Sequence, residues 1–235
     1  MARKRRKWAR RLELSAYRLR LRLSWEHALA GLNLRFISRL GMNELNAAGE
    51  SRRDVQSLAL QVVLAMFHHH GAASIQLLTA GFGYDAAVCA RSALESMILF
   101  VHLSHDRDAA VRWFESGRAP SPASVRRKVA LPEAFSKVYA QLCDYTHPNL
   151  GGALTFLRVT GETTFEIDLG PHPAAYPVGL LRVVIGCCDE VYAHLYHHAK
   201  PEHPGILQWL RGKNATQRLL PLPLPAVTQL PTAGN

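Results

Sequence analysis

Apolar residues recur every three or four positions along most of this chain, the period of a helix with one buried face. Trp8, Leu12, Ala16, Leu19 and Leu23 share one face of the first stretch, with Arg6, Arg10, Arg18, Arg20 and Arg22 on its flanks. Residues 3–40 contain no proline, and the first glycine is Gly31, so a long basic amphipathic helix is expected there. The span 41–49, bounded by two glycines, predicts a connector, with Ser51 capping a second helix through Val55, Leu58, Val62 and Met66 to Thr79. Gly81 and Gly83 should break that helix. Further helices are predicted over 84–103, from Asp106 through Val111, Trp113 and Phe114, from Pro132 to His147, and over 174–199. Residues 119–122 predict a loop.

The period changes after Pro148. Phe165, Ile167 and Leu169 alternate with Glu166 and Asp168, and the preceding run 154–159 is rich in β-formers. Residues 160–163 can join the two as a turn, which predicts one β-hairpin at about 154–169. Beyond Pro201 the chain alternates Leu with Pro at 219–225, a polyproline-like pattern expected to be poorly ordered. The expected fold is therefore all-α: an antiparallel helical bundle with one inserted hairpin. Its expected divisions are a basic amphipathic arm at 1–24, the bundle at 25–200 and a proline-rich, largely disordered tail at 201–235.

Charge sharpens this division. The 235 residues carry a formal net charge of +10. Residues 1–40 hold twelve Lys or Arg against Glu13 and Glu26, so the remainder is neutral. Attraction to polyanions then belongs to the arm, with Arg3, Lys4, Arg5, Arg6, Lys7, Arg10 and Arg11 as candidate contacts. The four cysteines lack a Cys-x-x-Cys pair and three lie in helix-like apolar runs, which fits free thiols in a reducing cytoplasm. No secretory signal is expected. The most apolar run, 58–67, falls well short of the ~20 residues of a membrane helix, so no integral membrane segment is expected. Arg outnumbers Lys by 22 to 6, the bias of a GC-rich bacterial genome.

The candidate chemistry centres on Arg91, Glu95 and His147, three ionisable residues at positions where helical packing calls for Leu or Ala. Buried charge is costly unless paired, so such residues hold one another or hold a ligand. Arg91 and Glu95 stand at i, i+4 and can pair directly. Tyr139, Cys143 and His147 repeat at the same interval on another helix, which makes Tyr139 a fourth ligand-binding candidate. His147 ends its helix before Pro148, where it can bond the last carbonyls or serve as a base.

An Arg-x3-Glu element in an apolar helix, a short helix from Asp106 to Ser116, and a Tyr-x-x-Leu-x4-His-Pro element together resemble a family of bacterial all-helical proteins of unknown function. That family is itself distantly similar to the HEPN superfamily of nucleotide-binding and RNA-cleaving helical bundles. The resemblance covers roughly residues 55–200. It implies a helical fold and, for that family, no assigned activity; a HEPN-like ribonuclease or nucleotide-handling enzyme using Arg91, Glu95 and His147 is an alternative reading. The Arg-x4–6-His motif of HEPN nucleases is met by Arg20 and Arg22 before His27. Such pairs arise at this frequency by chance, so catalysis is not carried onto them.

Other patterns add little. Glu190, His194 and His197 share a helix face and His68, His69 and His70 are consecutive, but neither row closes a shell of three or four converging ligands. No metal is expected, and no phosphate-cradling or dinucleotide fingerprint calls for a cofactor. The sequence leads first to a helical interaction or ligand-binding module. A HEPN-like enzyme and a peripheral protein that meets anionic lipid through residues 3–23 are the alternatives. Candidate partners are nucleic acid or an anionic membrane surface through residues 1–24, and a second copy of the chain.

Overall fold

The computed structural model describes residues 2–22, 24–52, 54–118, 120–129, 131–146, 157–159, 165–167 and 175–199. It describes their side chains too, except at 2–10, 22, 47–52, 157–159, 165–167, 175 and 196–199. The chain is all-α: among the described residues eight helices make up nearly all of the structure. They are α1 (Ala2–Arg22), α2 (Trp25–Arg52), α3 (Val55–Ala80), α4 (Gly83–His105), α5 (Arg107–Ser116), α6 (Pro122–Lys128), α7 (Glu133–Thr146) and α8 (Ala175–Ala199).

Local chemistry explains the boundaries. Ser24 separates α1 from α2, its hydroxyl accepting from the His27 backbone N–H at 3.2 Å as an N-cap does. Asp54 caps α3 by accepting from the Gln56 N–H at 3.3 Å. Gly81, at φ 94°, ends α3: the Gly81 and Phe82 N–H groups turn back to the carbonyls of Leu78 and Leu77. Asp106 caps α5 through the Ala109 N–H at 2.8 Å, and Ser121 with Pro122 opens α6.

Two boundaries differ from the sequence expectation. The span 41–49 is not a connector, because α2 runs unbroken to Arg52, and the residue that caps α3 is Asp54, not Ser51. Gly41 sits in mid-helix for a packing reason. A Cβ there would stand 2.5 Å from Leu64 Cδ2 and 3.1 Å from Leu195 Cδ2. Its absence lets α2 lie close to α3 and α8. Helix α6 follows the loop expected at 119–122, in a span for which the sequence reading assigns no element.

Helix α3 runs antiparallel to α4: Gln56 Nε2 donates to the Leu103 carbonyl at 2.7 Å, and Ser74 Oγ donates to the Ala86 carbonyl at 2.8 Å. It also opposes α2, since Ser38 meets His68 and Gly71 faces Leu34. Helix α8 breaks the expected antiparallel pattern. It runs in the same sense as α2, with Arg182 against Glu26 at 3.3 Å and Leu195 against Gly41. The core is the seam of these four helices, filled by Phe67, Leu94, Met97, Phe100, Leu180, Val184 and Leu195, with alanines 86, 87, 90 and 93 giving α4 a slim, fully enclosed face.

Taken whole, α3 and α4 are each long and apolar enough to cross a membrane by length and composition, which a count over 58–67 alone misses. In the bundle, 72% of the most apolar window of α4 is buried, as in a core helix, against 44% for α3. Leu157–Val159 and Phe165–Ile167 pair antiparallel, with Arg158 opposite Glu166. The rest of 154–169, including the expected turn, lies outside the described residues, as does the tail from 201 onwards.

Candidate functional site

Arg91 and Glu95 stand one turn apart on the side of α4 that meets α7. Arg91 Nε lies 3.0 Å from Glu95 Oε1, and both side chains keep about a quarter of their surface exposed (24% and 26%). They are thus less buried than their apolar neighbours suggest, because Asp85, Val88 and Ser92 bring that face of α4 to the rim of the bundle. Helix α7 runs antiparallel to α4 and lays Tyr139 beside Glu95 and Thr146 beside Arg91. The Tyr139 hydroxyl donates to Glu95 Oε1 at 3.0 Å, and Arg91 Nη1 donates to Thr146 Oγ1 at 3.1 Å. The Thr146 hydroxyl in turn donates to the Leu142 carbonyl at 2.6 Å, while the Thr146 carbonyl accepts from the Tyr84 hydroxyl at 3.1 Å.

A second guanidinium, Arg126 of α6, stacks on the Tyr139 ring with its Cζ 4.5 Å from the centroid, against 6.0 Å for Arg91. The ring carries a negative face that attracts cations, so it binds α6 as well as α4. Burial and then the Glu95 carboxylate push the Tyr139 hydroxyl up to about 12, so it stays a proton donor across the physiological range. Burial weighs against the Arg91 cation, but Glu95 more than restores it and its pKa is raised.

Three of the four residues singled out from sequence, Arg91, Glu95 and Tyr139, are therefore brought together. The fourth, His147, lies outside the described residues. The three satisfy one another: they form a clasp between α4 and α7. Sequence reasoning missed Tyr84, Thr146 and Arg126. Tyr84 shares the helical face of Arg91 at i, i+7, a signal that was present; nothing in the sequence pairs Arg126 with Tyr139.

The histidines are used locally. His68 Nδ1 lies 2.8 Å from Ser38 Oγ. His105 Nε2 meets His194 Nδ1 at 2.8 Å, with Glu190 Oε2 3.8 Å from the far nitrogen of His194. Among the described residues no group of three or more His, Cys, Asp or Glu side chains is placed to hold a metal ion. Cys187 and Cys188 are buried in α8, and burial pushes both thiols up, away from the reactive thiolate.

Helix α1 docks on the end of α3. Leu21 is buried, Leu14 packs by Gly81, and the Tyr17 hydroxyl donates to the Leu78 carbonyl at 3.2 Å. Arg18 Nη2 donates to the Ala80 carbonyl at 2.7 Å, at the negative end of the α3 dipole. Leu14, Tyr17 and Leu21 are the face opposite the one the hydrophobic pattern marks. Leu12 and Leu19, on the marked face, are 62% and 59% exposed.

No family model, no curated protein and no solved structure matches this chain.

Proposed function

We propose that this protein is a helical-bundle interaction module whose working surface is α1, and that its partner is an anionic lipid surface on the cytoplasmic side of a membrane. The outward stripe of α1 carries the argument. Leu12, Ala16 and Leu19 face away from the bundle, although the same helix has a second apolar face that packs. Exposed Arg11, Arg18 and Arg20 flank that stripe. An apolar stripe bordered by arginines suits the boundary between headgroups and acyl chains. Nucleic acid would use the cations alone and leave Leu12 and Leu19 in water. A HEPN-like nuclease centre at Arg91, Glu95 and His147 gains less from the geometry, because Arg91 and Glu95 are already bonded to Thr146 and Tyr139. We also read 154–169 as one inserted hairpin, on the pairing of Leu157–Val159 with Phe165–Ile167.

Flotation of the full chain with vesicles tests this. Binding to phosphatidylglycerol-containing vesicles should exceed binding to pure phosphatidylcholine, weaken with salt, and fall about tenfold or more in the Leu12→Gln/Leu19→Gln double variant. Equal binding by that variant, or tight binding to mixed RNA with none to vesicles, refutes the lipid reading.

A further inference from the structure

A groove of about 490 Å³ lies where α2 crosses α3. Its floor is apolar, made by Met42, Leu64 and Ala65. Its rim is not: Arg35 and Arg39 rise from α2 one turn apart, and His68 and His69 face them from α3. Ser38 Oγ ties His68 in place at 2.8 Å. Among the described residues no carboxylate lines this groove, and neither Arg35 nor Arg39 forms an ion pair.

Two unpaired guanidiniums over an apolar floor define a chemistry. Residues at i, i+4 on a helix stand about 5–6 Å apart at Cβ, so both forks can converge on one anion. The volume falls within the roughly 300–1,000 Å³ typical of small-molecule sites. The apolar floor also continues outward, because Leu58, Val62 and Met66 form an exposed row on α3 beside Ala65. A bare inorganic anion would use the arginines and waste the floor, and a neutral hydrocarbon would leave the arginines unmatched.

We propose that the α2–α3 groove binds a single-chain amphiphilic anion, its carboxylate or phosphate held by Arg35 and Arg39 and its chain laid over Met42, Leu64 and Ala65 toward Met66. This site is separate from α1 and does not depend on how α1 is used.

The probe is sodium decanoate below its micelle concentration, titrated calorimetrically into the full-length protein. Saturable binding near one equivalent is expected, with acetate and decanol each at least about tenfold weaker, a difference of roughly 1.4 kcal/mol. Arg35→Gln/Arg39→Gln should lose about tenfold or more, and so should Ala65→Glu, which sets a carboxylate on the floor. All three positions are exposed, so the variants keep the bundle, as unchanged melting will verify. Leu12→Gln/Leu19→Gln should bind decanoate normally, whatever it does on vesicles. Undiminished vesicle binding by the arginine variant assigns the groove to free amphiphile, and diminished vesicle binding assigns it to lipid within the bilayer. Failure of the wild type to bind decanoate, equal binding of acetate, or undiminished decanoate binding by both groove variants overturns the proposal.

Discussion

The Tyr139 hydroxyl and the Arg91 guanidinium converge on the same oxygen of Glu95, each at 3.0 Å. One carboxylate atom thus joins an intrahelical pair to a second helix. The arrangement makes the interaction between Glu95 and Tyr139 measurable apart from that between Glu95 and Arg91.

Tyr139→Phe removes one hydrogen bond and should cost about 1 kcal/mol of unfolding free energy. Glu95→Ala removes two and strands the Arg91 charge, so about 2–3 kcal/mol is expected, below the full cost of breaking a buried pair because a quarter of each side chain is solvated. In a double-mutant cycle by denaturant unfolding, the Glu95–Tyr139 coupling should be about 0.5–1.5 kcal/mol. A coupling of zero would mean the two groups do not meet in solution.

Two glycines in α2 should respond in opposite ways to the same change. A methyl group placed on Gly31 would meet nothing within 4 Å, so Gly31→Ala should stabilise by about 0.5–1 kcal/mol through helix propensity alone. Gly41→Ala gains the same propensity but drives its methyl into Leu64 and Leu195, and overpacking costs about 1–3 kcal/mol. Urea melts of the two variants should move in opposite directions; parallel shifts would contradict the close approach of α2 to α3 and α8.

His102 supplies a pH dependence. It is buried in α4, and burial lowers its pKa below the ordinary 6.5, with Lys128 and Arg112 adding to the shift and Asp106 opposing it. The unfolded chain then binds the proton more tightly, so stability is retained above pH 6.5 and lost as the pH falls below it towards the folded-state value. His70 is shifted in the same direction, by burial and by His69, against Glu95. The melting temperature should decline from about pH 7 to about pH 5, and His102→Gln should flatten part of that decline. An unchanged slope in the variant would remove His102 from the account.

The helical period carried most of this fold, because apolar spacing and local punctuation act within a few residues of one another. The breaks at Gly81 and Asp106 and the start near Pro132 were readable for that reason. What escaped depends on partners distant in sequence. Gly41 looks like punctuation until Leu64 and Leu195 arrive against it. That Tyr17 and Leu21, on the face opposite the Leu12 stripe, are the residues that dock depends on α3 lying beside them. For the candidate site, residue type and spacing single out Arg91, Glu95 and Tyr139 as ligand-binding candidates, whereas their bonding to one another depends on the antiparallel meeting of α4 and α7.

Tyr17 and Arg18 fasten α1 at two points of the last turn of α3, one through a hydroxyl and one through a charge. A helix pinned in this way is a handle and not a leash. Whatever plane its outer leucines settle on, the rest of the molecule must follow at a single tilt, so the protein would arrive at that plane with the same side up each time.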